Sequence, residues 1–330
     1  MKSYYVELTG IGESRLAEEE IDIRDLKDNE ALIQAEYSMI SAGTELPRAY
    51  GLKKGFAYHV RTGYSMVGRI LEKGKDIDAN TGDLVFVNAP HASVVRRETS
   101  DRVQGPWILR LPDGIDPVDA AAINLGLVAL QGVNLSRVRL GDTVAVFGLG
   151  NIGILAALMY HKMGCTVIGI DPSEGRRKLA EETGISKTGS DITVLTENVD
   201  IAVDVTGLPQ VIIDCIDVTK SYGQTVLLGS PRQSYETDVM PLLSKIHMKN
   251  LKVLGAFNQT APVYPHEGSD DSMIRSFKVI CDLFMNKDID VTKLISRIVD
   301  PKDCRQAYHD LMYDRDHTGL LVYDWRSYKL

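Results

Sequence analysis

The 330-residue chain has no apolar run approaching the ~20 residues that cross a bilayer, so no membrane partner is expected. Its first residues, Met1 to Glu7, carry an acid early and lack the apolar core of a secretion signal, which points to the cytoplasm. Cysteine is scarce. Cys165, Cys215, Cys281 and Cys304 are widely dispersed with no C-x-x-C pair, which suggests neither a disulfide framework nor a clustered zinc site. They read as buried small hydrophobes. An excess of positive charge is also missing: the formal net charge is -8, which disfavours nucleic-acid or anionic-membrane partners because both need a positive field. The short basic clusters Arg96-Arg97 and Arg176-Arg177-Lys178 read as solvated surface. There is no internal repeat and no low-complexity segment.

What is present is the composition of an ordinary soluble protein, 44% hydrophobic and 25% charged, and enough length for two domains each with its own core. Residues 1 to about 120 read as mostly β. Runs such as Ala31–Ala35 and Leu84–Val87 are separated by turn chemistry at Asp28-Asn29 and Thr81-Gly82-Asp83. At Pro117–Ala122 the texture becomes Ala-rich and helix-favouring. From there to about 260, strands predicted at Thr143–Phe147, Thr166–Ile170, Ile201–Val205, Gln224–Leu228 and Leu251–Leu254 alternate with helices, including Ile152–Met163 and Glu174–Thr183. Nearly all-apolar strands alternating with helices indicate a parallel sheet covered on both faces. The tail is predicted as a helix over Ser272–Met285, a second near Pro301–Met312 and a strand at Leu320–Tyr323, and it resumes the mixed character of the first part.

The strand at Thr143–Phe147 runs directly into Gly148-Leu149-Gly150-Asn151-Ile152-Gly153, which opens the next helix. A G-x-G-x-x-G motif is informative in that context. Gly148 permits the tight turn, Gly150 lets the backbone approach a pyrophosphate, and Gly153 lets the helix pack closely, with the helix N-terminus facing the phosphates. Asp171 stands just past the second strand, 23 positions after Gly148, where a carboxylate can accept hydrogen bonds from adenosine ribose hydroxyls and repel a 2′-phosphate. This favours NAD, while Arg176 and Arg177 leave NADP possible; the alternative role for Asp171 is a helix N-cap. Thr206-Gly207 and Gly229-Ser230 end further strands of the same sheet and are either additional cofactor contacts or ordinary turns.

A β-rich N-terminal part, a Rossmann unit and a short return segment resemble the medium-chain dehydrogenase/reductase superfamily. The most specific parts of the resemblance are Gly148–Gly153 with Asp171, the run Thr62–Arg69, similar to the family's G-H-E-x-x-G block, and Gly82–Val87, similar to its G-D-x-V strand. The resemblance implies an α/β fold: a Rossmann doubly wound parallel sheet over 126–255, and a GroES-like β-rich catalytic domain from 1–125 and 256–330. It also implies a homodimer or homotetramer. Zinc-dependent relatives hold their metal with a Cys, the His of G-H-E and a third Cys, Asp or Glu. Here Ala42, Tyr64 and the Asn124-Leu125 position stand at those places, and Ser65 replaces the Glu of G-H-E. None of the three is a normal zinc ligand, so no metal is expected. The Ser41–Glu45 run, the Gly63-Tyr64-Ser65 block and Pro90-His91 are similar to bacteriochlorophyllide-dehydrogenase-like and sugar-dehydrogenase-like members.

Without the metal a side chain must trade the proton while the nicotinamide trades the hydride. Tyr64 is the leading candidate, since a phenol both donates and accepts; the alternative is that it fills the volume left by metal and ligand. Its ordinary pKa near 10 is high for the task, so a neighbouring cation would help. By the resemblance, Thr44 takes the position of a relay hydroxyl and Glu45 that of an acid behind the metal, here free to act directly. His91 and His59 are the remaining titratable candidates, each alternatively a structural hydrogen-bonder. The expected activity is reversible oxidation of a secondary alcohol on a polyol, sugar or similar ring, with a small polar alcohol or ketone as partner. Two others compete: an NADPH-dependent quinone or enoyl reductase, and a catalytically decayed NAD-binding regulatory protein.

Overall fold

The computed structural model describes residues 1–52, 55–100, 106–265, 267 and 271–328. The chain divides into two compact units, one made of Met1–Asn124 with Pro262–Leu330 and the other of Leu125–Ala261. The second unit thus runs past the 255/256 boundary expected from sequence. Ala256 N–H donates to Leu227 C=O, and a short turn at Asn258–Thr260 follows before the chain leaves.

The second unit is a six-stranded, wholly parallel sheet. Its order is Thr188–Gly189, Thr166–Ile170, Thr143–Phe147, Val199–Asp204, Thr219–Leu227, Lys252–Gly255. Numbered within the unit, this is 3-2-1-4-5-6, the doubly wound dinucleotide order. Strands at Thr143–Phe147 and Thr166–Ile170 form where the apolar pattern predicts them, and so does the helix Glu174–Thr183; the helix after the glycine loop spans Asn151–Lys162. Buried on both faces, these strands cannot alternate, which is why they read as continuous apolar runs. Register aligns their carboxyl ends: Phe147 pairs with Ile170 and with Asp204, and Asp204 with Leu227. Chain order reverses between Thr143–Phe147 and Val199–Asp204, so a crevice for a ligand opens beyond those two ends.

The first unit centres on the strand Glu30–Met39, every residue of which is buried. It pairs antiparallel with Met66–Lys73, Val94–Glu98 and the C-terminal strand Leu320–Asp324. One apolar core joins residues from both ends of the chain, among them Val6, Ile33, Leu46, Val85, Tyr308 and Trp325. The tail is therefore part of this unit's core. The β reading of residues 1–120 needs one correction. Ala42–Ala49 is an α-helix despite Gly43 and Pro47, because Leu46 and Ala49 bury against that core and Ser41 C=O accepts the first amide hydrogen bonds. Packing of two apolar residues here overrides weak helix propensity.

Candidate cofactor and proton-transfer sites

In the parallel-sheet unit the glycine loop leaves its strand through Gly148 at φ +97°, a left-handed conformation that favours glycine. Gly153 is required for a different reason. A Cβ there would lie 1.8 Å from Gly148 O, so the close approach is of helix to loop carbonyl more than of helix to sheet. The helix Asn151–Lys162 starts at Gly150 with no side chain capping it, and a Cβ at Gly150 would meet nothing within 4 Å. Its first amides are therefore free for an anion, and backbone and dipole both favour one there.

Asp171 is buried and tied to the loop. Its Oδ2 accepts from Leu149 N–H (2.8 Å) and its Oδ1 from Ser173 N–H (2.9 Å), with Arg176 Nη1 at 3.5 Å from Oδ2. It does not cap the next helix; Ser173 does, accepting from Arg176 N–H. Arg177 is committed elsewhere, donating to the carbonyls of Asp171 and Pro172, so Arg176 is the arginine at the carboxylate. Thr206, Gly207, Gly229 and Ser230 come together with Gly148. A Cβ on Gly148 would touch Thr206 Cγ2 at 2.9 Å, and one on Gly207 would strike Ser230 O at 1.9 Å.

The organiser of that cluster is a residue the sequence reading did not single out. Asp204 is fully buried at the end of its strand and accepts from Thr206 N–H, Thr206 Oγ1–H and Gly207 N–H, while its carbonyl accepts from Gly229 N–H. Burial pushes its carboxyl up, against the opposing effect of these hydrogen bonds. A charge inside an apolar strand was the available signal.

The other candidates lie in the first unit. Tyr64 OH donates to Ser41 Oγ (2.5 Å) and lies 3.4 Å from Thr44 Oγ1, so three hydroxyls form a chain whose outer member, Thr44, is exposed. Burial pushes the Tyr64 phenol above its usual range. Glu45 sits next to this chain and is 1% exposed. Its Oε1 accepts from Ser41 N–H (2.7 Å), and its Oε2 accepts from Thr62 Oγ1–H (2.6 Å) and Tyr308 OH (2.5 Å) and meets His91 Nε2 at 3.1 Å. Burial alone would raise this carboxyl. The His91 charge and the hydrogen bonds outweigh it and hold the group below its ordinary value. His91 Nδ1 is 2.8 Å from Ser38 Oγ, which also accepts from Trp325 Nε1–H.

Thr44, Glu45, Tyr64 and His91 are therefore assembled in one place, but in two tiers. Thr44 and Tyr64 face outward through the hydroxyl chain, whereas Glu45 and His91 are enclosed beneath it with their polar atoms engaged. His59 stands apart, exposed and 3.5 Å from Glu7 Oε1. Ser41, Ser38, Thr62 and Tyr308 were not anticipated. Tyr308 is 263 positions from Glu45, a separation that leaves no local signal.

The residues at the positions of the family's zinc ligands do not fit that ion. Ala42 offers no donor atom, the Tyr64 hydroxyl donates to Ser41 Oγ, and at the third position Leu125 is apolar while the Asn124 amide points its NH2 at the Tyr64 carbonyl. Among the described residues no three His, Cys, Asp or Glu side chains converge to hold a metal. Likewise, among the described residues no helix is long and apolar enough to cross a membrane.

Comparison with known proteins agrees with this architecture. The family described as zinc-binding dehydrogenase matches residues 151–269. The D-guloside 3-dehydrogenase of Shigella flexneri is 26% identical over 277 residues, covering 79% of this chain and 77% of that protein. The (R,R)-butanediol dehydrogenase of Bacillus subtilis (strain 168) is 34% identical over 132 residues, a match that spans 37% of this chain and only 38% of the relative's length. Among solved structures, galactitol-1-phosphate dehydrogenase from Escherichia coli superposes with a TM-score of 0.80 at 19% identity, covering 98% of this chain and 100% of that one, a likeness of fold. Residues 151–269 are thus similar to the zinc-binding dehydrogenase family, and the chain has the fold of such dehydrogenases along nearly its whole length.

Proposed function

We propose that this protein is an NAD(P)-dependent oxidoreductase that interconverts a secondary alcohol and its ketone on a polyol, sugar or related ring, without a catalytic zinc ion. The observation that carries the reading is the uncapped helix N-terminus at Gly150, beside a glycine loop whose Leu149 amide is locked to Asp171. Gly148, Leu149, Gly150, Asn151, Ile152 and Gly153 would hold the pyrophosphate, with Asp171 facing the ribose and Thr206, Gly207, Gly229 and Ser230 lining the strand ends. When bound, the nicotinamide supplies a hydride donor or acceptor. The names of the relatives, dehydrogenases of butanediol and of a guloside, support the substrate class.

The chain's own part is the proton. In ketone reduction, Tyr64 would donate its phenolic proton to the carbonyl oxygen and regain one from water through the exposed Thr44 hydroxyl. In alcohol oxidation, the phenol oxygen would take the hydroxyl proton as its own turns from Ser41 to Thr44, and Thr44 would release its hydroxyl proton to water, so each oxygen gains one proton and gives one up. Glu45 and His91 act as positioning residues: Glu45 holds the Ser41 amide, and His91 anchors Glu45. The support for a zinc-free reaction is the donor set at Ala42 and Tyr64.

The test is NADH formation from a panel of polyols and sugars by metal-analysed protein. Turnover of a secondary alcohol by zinc-free material is expected. Failure to bind either nicotinamide cofactor in calorimetry would overturn the oxidoreductase reading. Stoichiometric zinc in active protein would overturn the metal-free one. NADPH-dependent reduction of an α,β-unsaturated ketone with no alcohol turnover would transfer the protein to the enoyl and quinone reductases.

A further inference from the structure

Arg48 differs from every other described arginine of its unit. Arg15, Arg24, Arg61, Arg69, Arg96, Arg110, Arg275, Arg297, Arg305 and Arg326 each face a carboxylate, and Arg97 and Arg315 donate to backbone carbonyls. The Arg48 guanidinium has no acceptor among the described residues and rests over the Phe56 ring, 5.3 Å from its centroid. It is half-buried. A guanidinium carries five donors in a rigid planar fork, so a half-buried one without an acceptor is presented to water or to a ligand. The aromatic face beneath it restrains the plane without using any N–H.

Its position gives this a chemical meaning. Arg48 lies four residues after Thr44 on the helix Ala42–Ala49, so the two side chains share a face one turn apart. Thr44 in turn reaches the Tyr64 phenol, and the Arg48 charge is close enough to oppose the upward push of burial on that phenol. An unspent cation therefore stands one helical turn from the outer end of the hydroxyl chain, in a protein whose formal net charge is -8. The acid on this helix, Glu45, is turned into the core and engaged there.

We propose that Arg48 is a specificity-determining residue that binds an oxyanion on the substrate, a carboxylate or a phosphate monoester carried on the same carbon skeleton as the reacting hydroxyl. The substrate class is thereby narrowed from polyols and sugars to their acids or phosphate esters. This rests on the oxidoreductase reading above for the reacting hydroxyl, but not for the binding of the anion. The planar fork accepts two oxygens of either group in parallel, and the shared chemistry is the bidentate oxyanion.

The experiment compares wild type with Arg48→Gln and Arg48→Lys in full-length protein saturated with NAD, so that the glycine loop does not compete for anions. Three matched probes are titrated by calorimetry and then assayed for turnover: a neutral hexitol, the corresponding aldonate and a hexitol phosphate. Removing a charged hydrogen-bond partner is expected to weaken anion binding by roughly tenfold to a hundredfold and to raise KM with little change in kcat. Arg48→Lys should recover part of the affinity, which a merely structural role would not predict. Preference for the aldonate or for the phosphate ester identifies the oxyanion. Thermal melts confirm that the variants fold. Equal anion affinity in wild type and Arg48→Gln, or equal handling of neutral and anionic probes by wild type, overturns the proposal. Anion binding that depends on Arg48 without any turnover sustains it while sinking the dehydrogenase reading. Turnover of neutral polyols by wild type with no binding of either anionic probe does the reverse.

Discussion

Tyr64 is kept in its protonated form by burial, which pushes the phenol above its ordinary value near 10. The direction sets the expected pH behaviour. Carbonyl reduction needs the proton on Tyr64 and should stay level up to about pH 10, then decline as the phenol ionises. Tyr64→Phe should cut turnover by about a hundredfold or more and remove that alkaline limb. Unchanged turnover in Tyr64→Phe would assign the ring to space-filling. A second residue-scale expectation concerns the cofactor. On the proposed reading the Asp171 carboxylate would repel a 2′-phosphate, and Arg176, 3.5 Å from it, would partly neutralise that repulsion. Asp171→Asn should shift the NADP-to-NAD ratio of kcat/KM upward by about tenfold, and Arg176→Ala should shift it downward. The ratio is read from initial rates with each cofactor. Tyr64 and Asp171 stood out in the sequence because each occupies a fixed place relative to a motif. Ser41, which accepts the Tyr64 hydrogen bond, did not, because a serine before a helix is ordinarily an N-cap and here its hydroxyl caps nothing.

At the scale of elements, the glycine loop and the helix Asn151–Lys162 behave as one piece. Gly153→Ala would push a methyl group into the Gly148 carbonyl and separate the loop from the helix start. The expected result is a loss of NADH affinity of at least tenfold with the parallel sheet intact, seen by fluorescence titration alongside far-ultraviolet circular dichroism. Retention of wild-type affinity would mean that the pyrophosphate does not rest on this turn. Periodicity made the first two strands and the helix Glu174–Thr183 legible to the residue, since strands buried on both faces declare themselves as apolar runs between glycine turns. Thr219–Leu227, by contrast, starts five residues before the expected Gln224, and Thr188–Gly189, Pro209–Val218 and Met240–Met248 were not foreseen. The helix Ala42–Ala49 was not legible. Its glycine and proline argue against a helix, and only the shared core of the folded unit supplies the burial of Leu46 and Ala49 that outweighs them.

For the molecule as a whole, the buried cluster around Glu45 ties chain segments far apart in sequence. Tyr308 reaches Glu45 and Trp325 reaches Ser38, while the His91 ring packs edge-on against Tyr323 at 5.0 Å. Removing one member of a buried, hydrogen-bonded pair costs about 3–5 kcal/mol. Glu45→Gln keeps the shape but turns one donor group toward other donors, so a loss near the lower figure is expected, or about 6–12 °C in melting temperature for a unit of this size. Because the folded-state carboxyl lies below its unfolded value, its stabilisation is present in full above about pH 4.5 and is lost as pH falls through the folded pKa. Melting curves taken from pH 7 down to pH 3 should show wild type losing more stability than Glu45→Gln; parallel curves would remove Glu45 from the account. The sequence alone determined the two-part organisation, the parallel sheet and the glycine loop, because local pattern specifies strands, turns and the helix that follows them. Only the tertiary structure decided that Glu45 and His91 lie enclosed beneath the Tyr64 hydroxyl chain and that Arg48 meets no carboxylate among the described residues. Burial and pairing belong to residues that meet across hundreds of positions, and no local pattern encodes such meetings.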